Sequence, residues 1–285
     1  MGRKKIIVAM AALGSAVSLS ALAAPSAKFA ATYTDQPSLS VNAFATCTTT
    51  EGTTASCQAS ASDSGHTLAI IKVPQDKELL VGVSAEVGLS TFGAIKGKNG
   101  GSGTAVADAE AAVSIHACRI VDGAVSGDCD MAAPGPVKLS KRVQELSAKL
   151  GGVIEECTFT AVDPAIGDTT INIADDCIVN DEEIALLLDT TAAHHFSFVL
   201  PNMDQGEYAI KAMFTTAASA NVYLCDPQGY DLTGDSTDDY TTEGCDAAGE
   251  VAGTAQAASV INKSMVTVQT VRAVKGGIID AEIID

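Results

Sequence analysis

The residues best equipped for chemistry lie in one stretch, "CDPQGYDLTGDSTDDYTTEGC", from Cys225 to Cys245. Its 19 interior residues hold six carboxylates and no lysine or arginine. Calcium takes six to eight oxygen ligands at short range. Asp231, Asp235, Asp238, Asp239 and Glu243, with backbone carbonyls, supply such a set. A 225–245 disulfide would hold the loop compact. The order D-x-x-x-D-x-x-D-D-x-x-x-E matches neither the EF-hand loop nor the glycine-rich calcium repeat. Two readings follow: a weak calcium site of the millimolar class usual for extracellular modules, or a solvated acidic loop closed by a disulfide. No cofactor is required by either.

Other candidates carry less. His194 and His195 are adjacent; in a strand they point to opposite faces and cannot share one metal in the ordinary way. His66 and His116 stand alone in sequence. No HExxH or G-x-S-x-G motif occurs, and the glycines of "GKNGGSG" (97–103) do not complete the G-x-x-x-x-G-K-[ST] of a phosphate loop. The acids of "DDCIVNDEE" (175–183) are explained by a helix start, where the dipole favours negative charge. No catalytic residue is assigned, and the chain is read as non-enzymatic.

The chain opens with Arg3, Lys4 and Lys5, then an uncharged run from Ile6 to Leu22 and the small-residue pattern Ala21-Leu22-Ala23. This is the pattern of a secretory signal peptide over residues 1–23. Without its three basic residues the chain carries 14 Lys+Arg against 35 Asp+Glu, a net charge of −21. Such a surface repels phosphate backbones, which excludes nucleic acid as a partner. No later run reaches the ~18 apolar residues of a spanning helix. The expected location is outside the cytoplasm: extracellular, cell surface or periplasm.

Eight cysteines in an exported chain imply a disulfide framework. Consecutive pairs are separated by 10, 11, 20 and 20 positions, so sequential pairing is expected: Cys47–Cys57, Cys118–Cys129, Cys157–Cys177 and Cys225–Cys245. Each would staple a hairpin or a local loop, contributing about 3 kcal/mol by chain entropy. C-x-x-C is absent, which argues against zinc-ribbon and thioredoxin chemistry.

The elements that must position these groups are mostly strands. Residues 24–66 are rich in Thr, Ser and Ala and read as an N-terminal extension with one disulfide hairpin. From Thr67 apolar residues recur with period two, the mark of half-buried strands. Two such runs, 77–96 and 104–121, flank the glycine-rich stretch and predict a long β-hairpin. Residues 137–150 fit helix or strand, and the β context favours strand. "NDEEIALLLDTTAA" (180–193) predicts a short helix, with Asn180 as cap and Glu183 at the third position. Alternating runs over 196–200, 208–214 and 265–272 complete the pattern, and residues 276–285 form a tail.

"DQGEYAI", Asp204 to Ile210, resembles the D-x-G-x-Y-x-C tyrosine corner of immunoglobulin-like sandwiches, with Ile210 at the cysteine position. The resemblance covers seven residues, and the family's Cys–Trp–Cys core is absent. It implies two packed antiparallel sheets and a structural hydroxyl on Tyr208. The expected fold is a mainly β, two-sheet antiparallel sandwich over 67–275, with one short helix and disulfide-stapled loops, including the acidic loop 225–245. The expected function is that of a secreted structural, surface, matrix or appendage protein that self-associates through edge or terminal strands. A calcium-assisted module for a glycan or protein ligand is the alternative, and a hydrolase the third.

Overall fold

The computed structural model describes residues 29–34, 39–49, 53–74, 77–157, 177–225, 245 and 249–271. These form twelve strands: β1 (Phe29–Thr34), β2 (Ser40–Thr49), β3 (Ala55–Val73), β4 (Lys77–Lys98), β5 (Gly101–Val121), β6 (Ala124–Met131), β7 (Val137–Leu150), β8 (Val153–Cys157), β9 (Cys177–Asn180), β10 (Glu182–Met203), β11 (Gly206–Leu224) and β12 (Glu250–Val271).

Two antiparallel sheets pack face to face. In the first, β12 is followed by β4 and then β10, while β1 and β2 share the far edge by pairing opposite halves of β12. In the second the order is β3, β11, β5, with β6 and β7 sharing the edge along β5. A small ribbon, β8–β9, stands apart from both. The long strands have 19 to 22 residues. At ~3.3 Å per residue the longest extend roughly 70 Å, several times the usual strand.

Alternation puts one face of each strand into a shared core. Ile71, Val73, Leu79, Val81, Ile115, Phe198, Leu200, Ile210 and Val268 are fully enclosed there. Ala105, Ala107, Ala109, Ala111, Ala220, Ala255 and Ala257 are buried with them. With no tryptophan and few aromatic residues, much of the core is filled by small side chains.

Several sequence expectations are corrected. The helix expected over 180–193 is absent: β10 begins at Glu182 and runs in unbroken register with β4 to Leu200. No glycine or proline interrupts 182–200, so the ladder that starts at Phe196–Leu200 continues through the leucines, and pairing overrides local propensity. The ambiguous 137–150 is strand β7.

The expected hairpin around Gly97–Gly103 is also absent. β4 and β5 meet at Asn99-Gly100, both with positive φ, but lie in different sheets. The turn's N–H groups donate to the carbonyls of Gly151 and Leu150 at the end of β7 (3.2 and 2.9 Å). A Cβ on Gly101 would collide with the Glu250 carbonyl oxygen. The glycines make room for a crossing between sheets.

Disulfide pairing follows the expected order for 47–57, 118–129 and 225–245. Their roles differ. Cys118–Cys129 staples the β5–β6 hairpin, where the two are ladder partners. Cys47–Cys57 joins β2 of one sheet to β3 of the other, so it closes a side of the sandwich and staples no hairpin. Cys157 and Cys177 are ladder partners in β8–β9. Of the segment expected as an N-terminal extension, 29–34, 40–49 and 55–66 lie in strands of both sheets, and Val41, Ala43 and Ala45 enter the core. Bridges of this kind persist in an oxidising compartment.

Candidate interaction edge

The five acids proposed for calcium, Asp231, Asp235, Asp238, Asp239 and Glu243, lie outside the described residues. The loop's ends are described. Cys225 and Cys245 are bonded with Cα atoms 4.7 Å apart, and the Cys225 N–H donates to the Ser102 carbonyl at 2.9 Å. The stretch is therefore closed at its neck against the start of β5. Among the described residues no cluster of three His, Cys, Asp or Glu could hold a metal.

The histidines do not converge. His194 and His195 alternate along β10 as expected, and His195 Nδ1 lies 2.9 Å from Ser84 Oγ on β4. His116 Nε2 contacts Ser114 Oγ on its own strand at 3.1 Å. Asp181 pairs with Lys96 at 3.2 Å. On the outer face of the second sheet, a hollow between Ser60, Ala217, Asp108 and Glu110 has its acids held by Lys141 (3.2 Å) and Lys138 (2.9 Å).

Tyr208 is buried at the passage between the two sheets. Its hydroxyl donates to the Asp204 carbonyl at 3.2 Å, where the chain passes from β10 in one sheet to β11 in the other. Burial pushes its phenol above the ordinary value. The Arg119 charge pulls it down, while Asp204 and Asp130 push it up. This group braces the fold.

The remaining candidate is a sheet edge. β10 ends the first sheet. Val199 turns both its N–H and its C=O away from β4, to Ala133 (3.0 and 2.9 Å). In a regular antiparallel ladder these directions alternate, so odd-numbered positions from Ala185 to Ser197 present their backbone groups on that side. Among the described residues, only the Ala133 bridge meets β10 there.

The other edges are guarded in ways proteins commonly use. β1 has only six residues, and β2 and β3 are drawn together by Cys47–Cys57. β7 carries Lys138, Lys141, Arg142 and Lys149, and β6 is short and bridged to β5. β10 has no lysine or arginine and no proline before Pro201; its register is unbroken to Leu200. Ile184, Leu186, Leu187 and Leu188 are 41%, 41%, 62% and 42% exposed.

Two side chains of β7 stiffen this edge from within. Gln144, buried, accepts from Thr91 Oγ1 at 2.7 Å and donates to the Leu186 carbonyl at 2.7 Å. Arg142 donates to Thr190 Oγ1 at 2.7 Å and to the Leu89 carbonyl at 3.3 Å. The edge is thus unbroken in register to Leu200, held by these bonds and lined by exposed leucines. Sequence reasoning missed it by reading its leucines as a helix; the breaker-free, lysine-free run was the available signal.

Comparison with known proteins finds no matching family model, no matching curated protein and no matching solved structure.

Proposed function

We propose that the chain is an exported, non-enzymatic structural subunit of a surface, matrix or appendage assembly, joined to its neighbours by strand pairing at a sheet edge. The observation that supports this is the unguarded edge of β10, with its outward backbone groups and exposed leucines. Such an edge templates another strand. The Tyr208 corner supports the finer reading of an immunoglobulin-like sandwich. Sedimentation velocity and negative-stain microscopy of the purified, oxidised protein test the proposal. Ala185→Pro removes an N–H on the open side, a position where a monomer tolerates proline. Association in the wild type that is lost in Ala185→Pro is expected. A monomer at all concentrations, or association indifferent to this substitution, would overturn the reading.

The closed neck of the acidic loop favours a second reading, that of a calcium-assisted module for a glycan or protein ligand, since it holds the five acids within one short ring.

A further inference from the structure

We infer that the occupant of the open edge is β10 of a second copy, paired antiparallel about a two-fold axis with Leu187 opposite itself. This rests on the edge reading above and specifies its partner and register. Outward backbone groups fall on odd positions, as Val199 shows. Two such edges therefore meet odd against odd, with even positions opposite even.

The two-fold axis at Leu187 sets Leu186 against Leu188, Ile184 against Thr190, Ala185 against Asp189, Glu183 against Thr191 and Glu182 against Ala192. No acid faces an acid. With the axis at Leu186, Glu183 faces Asp189; with it at Asp189, that residue faces itself. An axis at Leu188 keeps the acids apart but opposes Leu187 with Asp189. An axis at Thr190 sets the leucines against Ala192, Ala193 and His194. Apolar cross-strand pairs stabilise a ladder, and like charges directly opposite weaken it. The Leu187 register is favoured on both counts.

The faces agree with this arrangement. Ile184, Leu186 and Leu188 share the inward face with buried Phe198 and Leu200, yet stay half exposed at the sandwich margin. A two-fold axis normal to the sheet leaves the second sheets of both copies on one side, so these flanks cover each other. The contact is isologous and closes on itself. Its product is a discrete dimer with one continuous sheet. Each copy is strongly acidic, with a net charge of −18, so salt that screens long-range repulsion tightens the dimer.

The test uses the full oxidised protein. Partner Cα atoms in a hydrogen-bonded antiparallel pair lie about 5.5 Å apart, within the roughly 4.4–6.8 Å range a disulfide spans. Leu187→Cys should therefore give a disulfide-linked dimer, while Ala193→Cys, whose counterpart is position 181, should give none. Leu187→Lys places two ammonium groups opposite each other and should raise the dimer dissociation constant at least ~tenfold. Its circular dichroism should stay unchanged, because the side chain is exposed. A dimer that links from 193, fails to link from 187, or ignores Leu187→Lys overturns the register and leaves edge association standing. Open filaments in place of dimers do the same. A wild type that stays monomeric at ~0.1 mM overturns both the register and the edge reading.

Discussion

The Tyr208 hydroxyl bonds a carbonyl four residues upstream, across the passage from β10 to β11. Tyr208→Phe removes the donor of this partly buried hydrogen bond, so unfolding midpoints should fall by the equivalent of about 1 kcal/mol. The pH dependence follows from the raised phenol. The folded state holds the proton to higher pH than the unfolded chain, whose phenol titrates near 10. The Tyr208 contribution is therefore fully present below pH ~10 and is lost as pH rises toward the folded value. Denaturation curves above pH 10 should fall more steeply for the wild type than for Tyr208→Phe. Gly253 makes a second residue-scale case. A Cβ there would stand 2.5 Å from Val222 Cγ1 in the opposite sheet and 3.2 Å from Ile95 Cδ1 and Leu224 Cδ2. Gly253→Ala should cost about 1–3 kcal/mol by overpacking, and Val222→Ala in the same chain should recover part of the loss. Tyr208 was legible in the sequence because its partner lies four residues away. Gly253 was not, because its constraint comes from a strand about 30 positions distant in another sheet.

Strand periodicity is local, and the sheet a strand joins is not. The alternation of 77–96 and 104–121 reported strands correctly, yet it suits a hairpin and a crossing between sheets equally well, since both bury alternate residues. β2 to β3, β4 to β5 and β10 to β11 all change sheet, and only the bonds at each turn tell the two cases apart. The 180–193 stretch failed for a related reason. A cap-like asparagine and acids near the start describe a helix taken alone, whereas β4 offers a whole ladder of partners. The cysteine spacing was more informative, because short separations limit which partners lie within bonding reach. At this scale β10 yields a direct observable. Its odd-numbered amides from Ala185 to Ser197 should exchange with solvent quickly in dilute protein, while the even-numbered ones, bonded to β4, exchange slowly. Raising the concentration should slow the odd set selectively. Equal protection of both sets in dilute solution would mean that the edge is already covered.

Across the whole molecule, the acidic loop and the long sandwich make separate demands. Calorimetric titration with calcium, beside an Asp235→Asn/Asp238→Asn variant, tests the loop: millimolar binding lost in the variant is the expected result for a calcium site. Binding unchanged by the substitutions, or none at several millimolar, leaves a solvated ring. The sandwich itself is built from partners far apart in sequence, such as β3 with β11 and β4 with β12, so its folding should be slow for its size. One pairing has a mechanical consequence. β1 lies antiparallel to the last part of β12, with Phe29 opposite Gln269, so both ends of the described chain emerge at one tip. Tension between those ends acts across the β1–β12 ladder and opens its bonds one at a time, like a zipper. A load entering through the side of β10 instead crosses the β10–β4 ladder and is shared by its many bonds at once. Two copies joined flank to flank at β10 would bear strain well, whereas copies threaded end to end would bear it poorly.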